Sequence, residues 1–477
     1  MDVTIAIVGS GFSGLGLALR LRQEGVEDFV VLERGEGVGG TWHYNTYPGC
    51  ACDVPSHLYS FSFAPNPDWT RTYSLQPEIR AYLERVAEPV MDRVRLNCEV
   101  RGAEWNGTRW AIETSHGPVN ANVLVSGTGP LVEPKIPDVP GLDTFAGPAF
   151  HSARWDHSVD LKGKRVVSVG TGASAIQYVP AIAPDVAQLA VIQRTPPWVM
   201  PHSARPISNW ERRLFRALPF AQRALRGGIY AARELMVLGF VKQPKGMKLL
   251  EKVGRKHMER ALKDPELIAK ATPDYTVGCK RILPSNDWYP ALARENVELV
   301  TDPLGEVRAD SVVLASGREL AADALIFGTG FKVIDLPVAR MVRGRDGRTL
   351  ADVWDGSPRA YLGTSVPGFP NLFLLLGPNT GLGHSSMVFM IESQIAYVLD
   401  ALRAMRARGA DVVEVRPEAE AQFNAEVQRR MQGTVWNTGC SSWYQDAKGN
   451  NPTLWPDWAW RFRQRTARFD ANSYVLA

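Results

Sequence analysis

The stretch that decides the fold is VTIAIVGSGFSGLGLALRLRQEG, residues 3–25, whose pattern predicts a strand, a tight turn and a helix. Gly9, Gly11 and Gly14 give the spacing G-x-G-x-x-G at that turn. The first glycine permits the tight turn, the second lets the backbone approach a pyrophosphate, and the third lets helix and strand pack closely. Because a helix start offers free N–H groups to phosphate, the stretch predicts a dinucleotide-binding unit.

A second strand, FVVLE, follows and ends in Glu33, nineteen residues after Gly14. A carboxylate at this distance accepts hydrogen bonds from the ribose hydroxyls of an adenine dinucleotide. A strand, turn, helix, strand and acid in register are far more specific than a lone glycine motif. We therefore interpret this unit as a cofactor site rather than an incidental turn.

The same pattern recurs in KRVVSVGTGASAIQYVPAIA, with Gly170, Gly172 and, in the third place, Ala175. The next strand, QLAVIQRT, carries Arg194 nineteen residues after Ala175. An arginine at this corner suits the 2′-phosphate of NADP, and Thr195 adds a possible hydrogen bond. The alternative is a surface arginine that merely ends a strand.

Each unit also closes in the same way, with a strand that runs into Gly-Thr-Gly at 127–129 and 328–330. A polar, alternating β-ribbon precedes each closing strand, which indicates an internal duplication of the architecture. The first unit suits FAD and the second suits NADPH. Two nucleotide sites in one chain imply hydride transfer between the two cofactors.

The predicted fold class is α/β, with two Rossmann-like dinucleotide-binding domains and a helical insertion in the NADPH domain. We expect the first part of the FAD domain at 1–142 and the NADPH domain at 143–331, with the insertion at about 205–270. The last part, 332–477, returns to the FAD domain and ends in a C-terminal loop. A proline-rich, extended linker joins the first two parts.

The composition bounds the remaining possibilities. The chain has 477 residues, a net charge of +4 and five cysteines. The mild charge demands neither nucleic acid nor a membrane as partner, and no apolar run reaches membrane-spanning length. Few cysteines without zinc-site spacing predict neither a metal site nor a disulfide scaffold. With a strand that starts almost at residue 1, we expect no leader, a cytoplasmic location and a monomer or weak homo-oligomer.

The segment FAGPAFHSARWD at the seam of the two units matches the fingerprint F-x-G-x-x-x-H-x-x-x-W-[P/D] of Baeyer–Villiger monooxygenases. The matching residues are Phe145, Gly147, His151, Trp155 and Asp156. Related N- and S-oxidising flavin monooxygenases share the Phe, Gly and His but lack the Trp-Asp ending. In the resembling family, we expect the histidine to hydrogen-bond at the seam and the tryptophan to anchor the linker by packing.

Two further motifs carry the resemblance, GGTWHYNTYPGCACD at 39–53 and GCKR at 278–281. The resemblance implies FAD, NADPH and O₂ as reactants and a ketone that becomes an ester or lactone through a C4a-peroxyflavin. The alternative within the same superfamily is an N- or S-oxygenating flavin monooxygenase. A disulfide reductase would need a C-x-x-x-x-C pair, and Cys50 and Cys52 are too close in sequence. A non-enzymatic flavin-binding protein is disfavoured by the paired cofactor sites.

The proposed reaction needs a stable anion, because the deprotonated peroxide attacks the ketone carbonyl. A cation about 4 Å away, at an effective dielectric of ~20, contributes about 4 kcal/mol, or roughly three pKa units. Arg281 in GCKR is the candidate catalytic cation, and Asp53 is the carboxylate that holds it. Lys280 would join Arg194 on the 2′-phosphate. The alternatives are a solvated basic pair and an aspartate that only forms a turn.

The positions expected to contact cofactors fall into two groups. On the FAD side they are Gly9, Gly11, Phe12, Ser13, Gly14, Glu33, Gly40, Thr41, Trp42, Asp53, Tyr59 and Val100. On the NADPH side they are Gly170, Thr171, Gly172, Ala173, Ser174, Ala175, Gln177, Arg194, Thr195, Lys280 and Arg281.

Two other regions allow alternative interpretations. Residues 205–260 hold fourteen Lys/Arg against four Asp/Glu, which indicates a solvated helical face in preference to a lid or an interfacial surface. Trp443 and Tyr444 either wall the substrate pocket or pack the C-terminal segment. Before the last long helix, Ser385 or Ser386 is the expected N-cap, with His384 as a local cap partner.

Overall fold

The structure is a computed structural model that describes residues 1–243, 246–437, 440 and 442–477. Within them the strands are β1 (Asp2–Val8), β2 (Phe29–Leu32), β3 (Val94–Arg95), β4 (Val100–Trp105), β5 (Trp110–Thr114), β6 (Val119–Ser126), β7 (Ala149–His151), β8 (Arg165–Val169), β9 (Gln188–Ile192), β10 (Val199–Met200), β11 (Leu283–Pro284), β12 (Val297–Val300), β13 (Leu304–Val307), β14 (Ser311–Leu314), β15 (Glu319–Ala321), β16 (Ala324–Phe327), β17 (Val342–Arg343), β18 (Leu372–Leu374), β19 (Val413–Val415) and β20 (Tyr474–Leu476).

The α-helices are α1 (Phe12–Gln23), α2 (Thr41–Tyr44), α3 (Gln76–Ala87), α4 (Ala175–Ile182), α5 (Asn209–Ala217), α6 (Pro219–Glu234), α7 (Met247–Ala261), α8 (Pro265–Ala271), α9 (Trp288–Leu292), α10 (Pro337–Met341), α11 (Leu350–Trp354), α12 (Met387–Arg408), α13 (Pro417–Met431) and α14 (Ala459–Arg465). A π-helical turn at Leu238–Lys242 lies between α6 and α7. No helix in the described ranges is both long and apolar enough to cross a membrane.

The first sheet has the order β17-β4-β5-β6-β1-β2-β3, and β18 pairs with β6. Strand β1 lies parallel to both β2 and β6, so the carboxyl ends of all three strands meet at one edge. The β4–β5–β6 ribbon is antiparallel, as the alternating sequence predicts. Strands β17 and β18 come from residues beyond 340, so the chain does return to the first sheet.

The second sheet is entirely parallel, in the order β12-β9-β8-β16-β7. Strand β7 belongs to the FAGPAFHSARWD segment and forms an edge beside β16. A separate antiparallel ribbon, β13-β14-β15, precedes β16 and repeats the plan of the first unit. The two strand–turn–helix units therefore share one architecture, and the predicted α/β fold class is confirmed.

Backbone contacts explain the glycines at both turns. Gly9 has φ +94°, and a Cβ on Gly14 would lie 1.9 Å from the Gly9 carbonyl oxygen. In the second unit, Gly170 has φ +103°, and a Cβ there would lie 2.5 Å from the oxygen of Gly328. Such distances exclude any side chain, so each turn is closed by backbone packed on backbone.

The helical insertion lies between β10 and β11 and comprises α5 to α8. Helix α5 begins with a capping box in which Ser208 and Glu211 bond reciprocally. The insertion contacts the first unit, because the Arg226 guanidinium on α6 donates to the carbonyls of His57 and Ser60, both at 2.8 Å. The insertion therefore bridges the two units.

One apolar cluster crosses from the first unit to the second. It contains Ile5 and Leu15 from the first unit and Val166, Tyr178 and Val191 from the second, all buried. A shared core of this kind means that the two units fold as partners rather than as independent modules. The predicted boundaries at 142/143 and 331/332 stay a prediction.

We predict that Gly147→Ala destabilises the protein by about 1–3 kcal/mol, because its Cβ would lie 2.5 Å from the Asp323 carbonyl oxygen at the β7–β16 edge. The measurement is the midpoint of urea unfolding. Gly227→Ala on α6 is the control, since no atom lies within 4 Å of its Cβ position. The control should match the parent or exceed it slightly, and equal losses in both variants would contradict the packing argument.

Candidate active site

The centre of the site is an ion pair between the two distant motifs. The Arg281 guanidinium donates from Nε to Oδ2 of Asp53 at 2.8 Å and from Nη2 to Oδ1 at 2.7 Å. This fork geometry fixes the arginine in one orientation. The Asp53 carboxylate raises the pKa of Arg281 above its ordinary value. The arginine therefore stays cationic, while 37% of its side chain remains accessible.

Tyr444 of the C-terminal segment lies against this pair. Its side chain is buried, and burial raises the pKa of Tyr444 to about 12, so the phenol is neutral. The neighbouring Trp443 is 46% exposed, and its ring centroid lies 4.3 Å from that of Tyr444. Of the two sequence alternatives, Tyr444 packs at the arginine and Trp443 faces outward.

A disulfide joins Cys279, two residues before Arg281, to Cys440, four residues before Tyr444. The two Cα atoms lie 6.3 Å apart, within the usual span for such a bond. The cross-link therefore attaches the arginine's segment to the segment that covers it. We did not predict this pair from the sequence, although one bond among the described residues does not make the chain a disulfide scaffold.

The first glycine-rich turn has the shape of a pyrophosphate cradle. Helix α1 starts at Phe12, and its N-cap Gly11 offers no side-chain hydrogen bond to the first turn. A Cβ on Gly40 would lie 2.9 Å from the Cα of Gly11, so this second loop closes the cradle by backbone contact. The helix start combines free N–H groups with a positive dipole end, and the cradle fits a dinucleotide such as FAD. Ser13 is buried one residue into α1, and Thr41 begins α2.

Glu33 lies directly after β2 and is buried at 4% exposure. Its Oε2 accepts hydrogen bonds from the Ser10 N–H at 2.9 Å and the Ser10 hydroxyl at 2.7 Å. Its Oε1 accepts from the Gly35 N–H at 2.8 Å. The carboxylate is thus held at the mouth of the glycine turn, where the nineteen-residue spacing had placed it.

Three aromatic rings pack behind the cradle. The Trp42 indole donates from Nε1 to the Tyr59 hydroxyl at 3.1 Å, and the Phe12 ring meets the Tyr59 ring at 5.0 Å. Burial raises the pKa of Tyr59, so it remains a neutral phenol. Val100 is different, since it is buried at the start of β4 among apolar side chains of the first sheet. Its predicted cofactor contact is a hypothesis that its packing does not favour.

The second turn repeats the cradle with cations at its rim. Helix α4 starts at Ala175, after Thr171, Gly172, Ala173 and Ser174, and Ser174 makes no side-chain cap. Arg194 is exposed two residues beyond the end of β9. Burial, and then the nearby Arg194 charge, lower the pKa of Lys280. Two cations close enough to repel each other define an anion site, which fits the 2′-phosphate of NADPH.

The Thr171 hydroxyl donates to the Thr195 carbonyl at 3.2 Å, so the turn is tied to the strand end that carries Arg194. The Lys280 ammonium lies 4.8 Å from the centroid of the Tyr275 ring. These contacts hold the turn and the lysine in place beside the cationic corner.

Gln177 has a different environment from the one expected of a cofactor ligand. Its Oε1 accepts from the Tyr47 hydroxyl at 2.9 Å and the Ala51 N–H at 3.2 Å, and its Nε2 donates to the Ala51 carbonyl at 3.1 Å. A Cβ on Gly49, which has φ +77°, would lie 2.8 Å from the Gln177 carbonyl oxygen. The side chain of Gln177 thus bonds the two units together, directly beside the Asp53 motif.

The fingerprint segment is packed rather than open. The Trp155 ring lies 5.1 Å from Phe150 and 5.5 Å from Tyr178, so it anchors the linker as expected. His151 is buried, its Nδ1 accepts from the Ala153 N–H, and burial lowers its pKa to about 4. Asp156 is exposed and accepts hydrogen bonds from Ser158.

The start of α12 corrects one expectation and confirms another. Ser386 is the N-cap, and its hydroxyl accepts from the Val388 N–H at 3.2 Å. His384 is not a local cap partner, because its Nε2 lies 3.1 Å from Oε1 of Glu234, at the end of α6. Both side chains are buried. A pair separated by 150 residues has no signature in the local sequence.

The remaining cysteines do not form a redox pair. Cys50 and Cys52 are buried and free, and burial raises the pKa of the Cys50 thiol to about 12. A thiol protonated at neutral pH is a poor nucleophile toward disulfides. The described residues contain no cluster suited to a metal ion.

Comparisons with known proteins agree with this geometry. The family described as pyridine nucleotide-disulphide oxidoreductase matches residues 6–218. A Baeyer–Villiger monooxygenase from Streptomyces coelicolor is 54% identical, over 99% of this chain and 92% of the relative. One from Pseudomonas aeruginosa is 52% identical, over 99% and 91%. The chain belongs to the Baeyer–Villiger monooxygenase family.

Solved structures of Baeyer–Villiger enzymes share the whole fold. An oxidised steroid monooxygenase bound to NADP superposes with a TM-score of 0.88 and 30% identity, over 100% of this chain and 99% of that one. The predicted enzyme class, a flavin monooxygenase that uses FAD and NADPH, is confirmed over the N- or S-oxygenating alternative. The disulfide reductase reading and the non-enzymatic reading both fall with it.

We predict that Gly9→Ala lowers the FAD content of the purified Baeyer–Villiger enzyme, because its Cβ would lie 3.0 Å from the Gly127 oxygen and distort the cradle. The measurement is the ratio of flavin to protein absorbance. Gly117→Ala is the matched control, since it has a similar φ of +93° with nothing within 4 Å. Equal flavin loss in both variants would show that backbone strain alone, and not the cradle, is responsible.

Proposed function

We propose that this Baeyer–Villiger enzyme inserts one oxygen atom from O₂ into a carbon–carbon bond of a ketone, with Arg281 and Asp53 as its catalytic pair. The observation that carries the proposal is the bidentate contact between them, which joins the two family motifs from opposite units. Bound FAD, reduced by hydride from NADPH, supplies the oxygen activation. The product is an ester or a lactone.

Arg281 supports the reaction by its permanent charge. Negative charge develops during oxygen transfer, and a fixed cation stabilises it without giving up a proton. Its partial exposure of 37% leaves a face of the guanidinium free for the reacting atoms. The arginine thus acts as an electrostatic catalyst rather than as an acid.

Asp53 sets the direction of that cation. A carboxylate bonded to both Nε and Nη2 occupies one edge of the guanidinium and leaves the other nitrogen to face the site. The neutral Tyr444 covers the pair and excludes water, which strengthens the electrostatic interaction. Asp53 is therefore proposed as a positioning residue whose own charge moderates the field.

Arg194 and Lys280 are proposed to hold the 2′-phosphate of NADPH, with Thr171, Thr195 and the α4 start around the pyrophosphate. The support is the mutual proximity of the two cations at the end of β9. An anion between them relieves their repulsion, and NADH has no group at that position. We further propose a cytoplasmic enzyme whose partners are a ketone and O₂, without nucleic acid.

We predict that Arg281→Ala retains reduction of FAD by NADPH but forms ester about a thousandfold more slowly, since a loss of about 4 kcal/mol corresponds to that factor. The electrons then appear as hydrogen peroxide. The measurements are anaerobic flavin bleaching and product analysis by mass spectrometry over a panel of cyclic, linear and aryl ketones.

The control for that variant is Arg205→Ala, which breaks a similar two-point contact, with Glu211, on the surface of the insertion. It should make ester at the parent rate. Ester formation by Arg281→Ala at the rate of the control would refute the catalytic role of the arginine.

We predict that Arg194→Ala raises the Michaelis constant for NADPH by about 10- to 100-fold, because charge-assisted hydrogen bonds contribute about 1.5–3 kcal/mol. The constant for NADH should barely change. Arg308→Ala, an exposed arginine on β13's ribbon that pairs with Glu319, is the control. An unchanged ratio of the two constants in Arg194→Ala would contradict a 2′-phosphate site at this corner.

A further inference from the structure

The helical insertion presents an unusual amount of apolar surface to solvent. Sixteen large hydrophobic side chains are exposed among the described residues, and eight of them fall in the short span 210–253. The most exposed of the eight are Leu249 at 70%, Trp210 at 69%, Phe220 at 68% and Leu235 at 61%. A concentration of this kind indicates an interaction surface, whereas scattered exposed side chains do not.

Helix α6 shows why these side chains are outside. Its solvent face is a stripe without charge, spaced at i, i+4, i+7, i+11 and i+15, and formed by Phe220, Ala224, Gly227, Ala231 and Leu235, all exposed. This spacing places all five residues on one face of a helix.

The opposite face of α6 is polar and buried. Gln222 donates to the Asn66 carbonyl at 2.6 Å, Arg226 donates to the first unit, and Glu234 accepts from the Ala459 N–H at 3.0 Å. A surface helix of a soluble protein normally buries its apolar stripe and exposes its polar one. In α6 the arrangement is reversed, so its apolar face is unpartnered in the monomer.

Charge surrounds this apolar face. Residues 205–260 carry a net charge of +10 in a chain whose total is +4, so the rest of the protein carries −6. Arg213, Arg223, Lys248, Lys252 and Lys256 are exposed and form no ion pair with any residue in the described part of the chain. The segment's positive charge is therefore largely uncompensated.

The few acids of the segment are already engaged. Glu211 pairs with Arg205, Glu234 with His384, and Glu251 accepts from the Val277 N–H. Because these carboxylates are occupied within the protein, they do not neutralise the exposed cations. An anionic partner is the one that this surface fits.

We propose that the face formed by α5, α6 and α7, called here the insertion face, seats on an anionic lipid surface. Aromatic and aliphatic side chains that enter the interface, flanked by unpaired Lys and Arg, are what such binding requires. A second copy of this chain is a poorer occupant. A twofold contact would bring +10 against +10.

A groove beside the insertion face supports an apolar occupant. It has a volume of about 280 Å³ and is lined mainly by Met236, Leu238, Phe240, Met247 and Leu250. Such a groove can accept part of an acyl chain when the face is seated. The contact is peripheral, since the helices lie on the lipid rather than cross it.

The test is co-sedimentation of the FAD-loaded enzyme with vesicles of equal parts phosphatidylcholine and phosphatidylglycerol, and with phosphatidylcholine alone. The parent enzyme should sediment with the mixed vesicles, and added salt should release it. The double variant Phe220→Asp/Leu235→Asp should lower the bound fraction at least about tenfold, because it places carboxylates in the apolar stripe. Arg223→Glu/Lys252→Glu should lower it as well.

The matched control is Met91→Asp/Ile136→Asp, which alters two exposed apolar residues outside the insertion, at 37% and 51% exposure. It should bind like the parent. Ester formation from a water-soluble ketone should be unchanged in every variant, which shows that each is folded.

Three results would overturn the proposal. The first is no sedimentation with the mixed vesicles. The second is equal binding by the parent and Phe220→Asp/Leu235→Asp. The third is a concentration-dependent dimer in sedimentation velocity that this variant abolishes while vesicles bind nothing, which would assign the insertion face to a second copy of the chain.

Discussion

The contact between Arg281 and Asp53 is the constraint around which the rest of the structure is arranged. Each side chain comes from a loop that is held by its own unit, and the two loops must meet to within hydrogen-bond distance. A small rotation of one sheet against the other would break both bonds at once. The shared apolar core, the Gln177 bridge and the buried fingerprint segment all act to prevent that rotation.

The sequence predicted the parts of the site that depend on short spacings. A glycine turn and an acid or arginine nineteen residues later lie within one βαβ unit, so their geometry follows from strand and helix lengths. The roles of Glu33 and Arg194 could be proposed for this reason. Family motifs then paired Arg281 with Asp53 across 228 residues, which no local pattern could have done.

What the sequence could not predict depends on long-range packing. Gln177 looks like a cofactor contact in its motif, yet it is used at the seam because Ala51 approaches it from the other unit. The Cys279–Cys440 bond and the Glu234–His384 pair likewise join segments far apart in the chain. The reversed polarity of α6 was hidden too, since periodicity shows that a helix has two faces but not which one is buried.

The contact of Gly49 with the Gln177 carbonyl has a consequence for how this enzyme can diversify. Main-chain atoms, rather than side chains, set the spacing between the two cofactor units at that point. Changes in the residues that line a substrate cavity would leave this spacing untouched. Selection, or a protein engineer, can thus vary the range of accepted substrates while electron delivery between the nucleotides stays calibrated, as long as that glycine is retained.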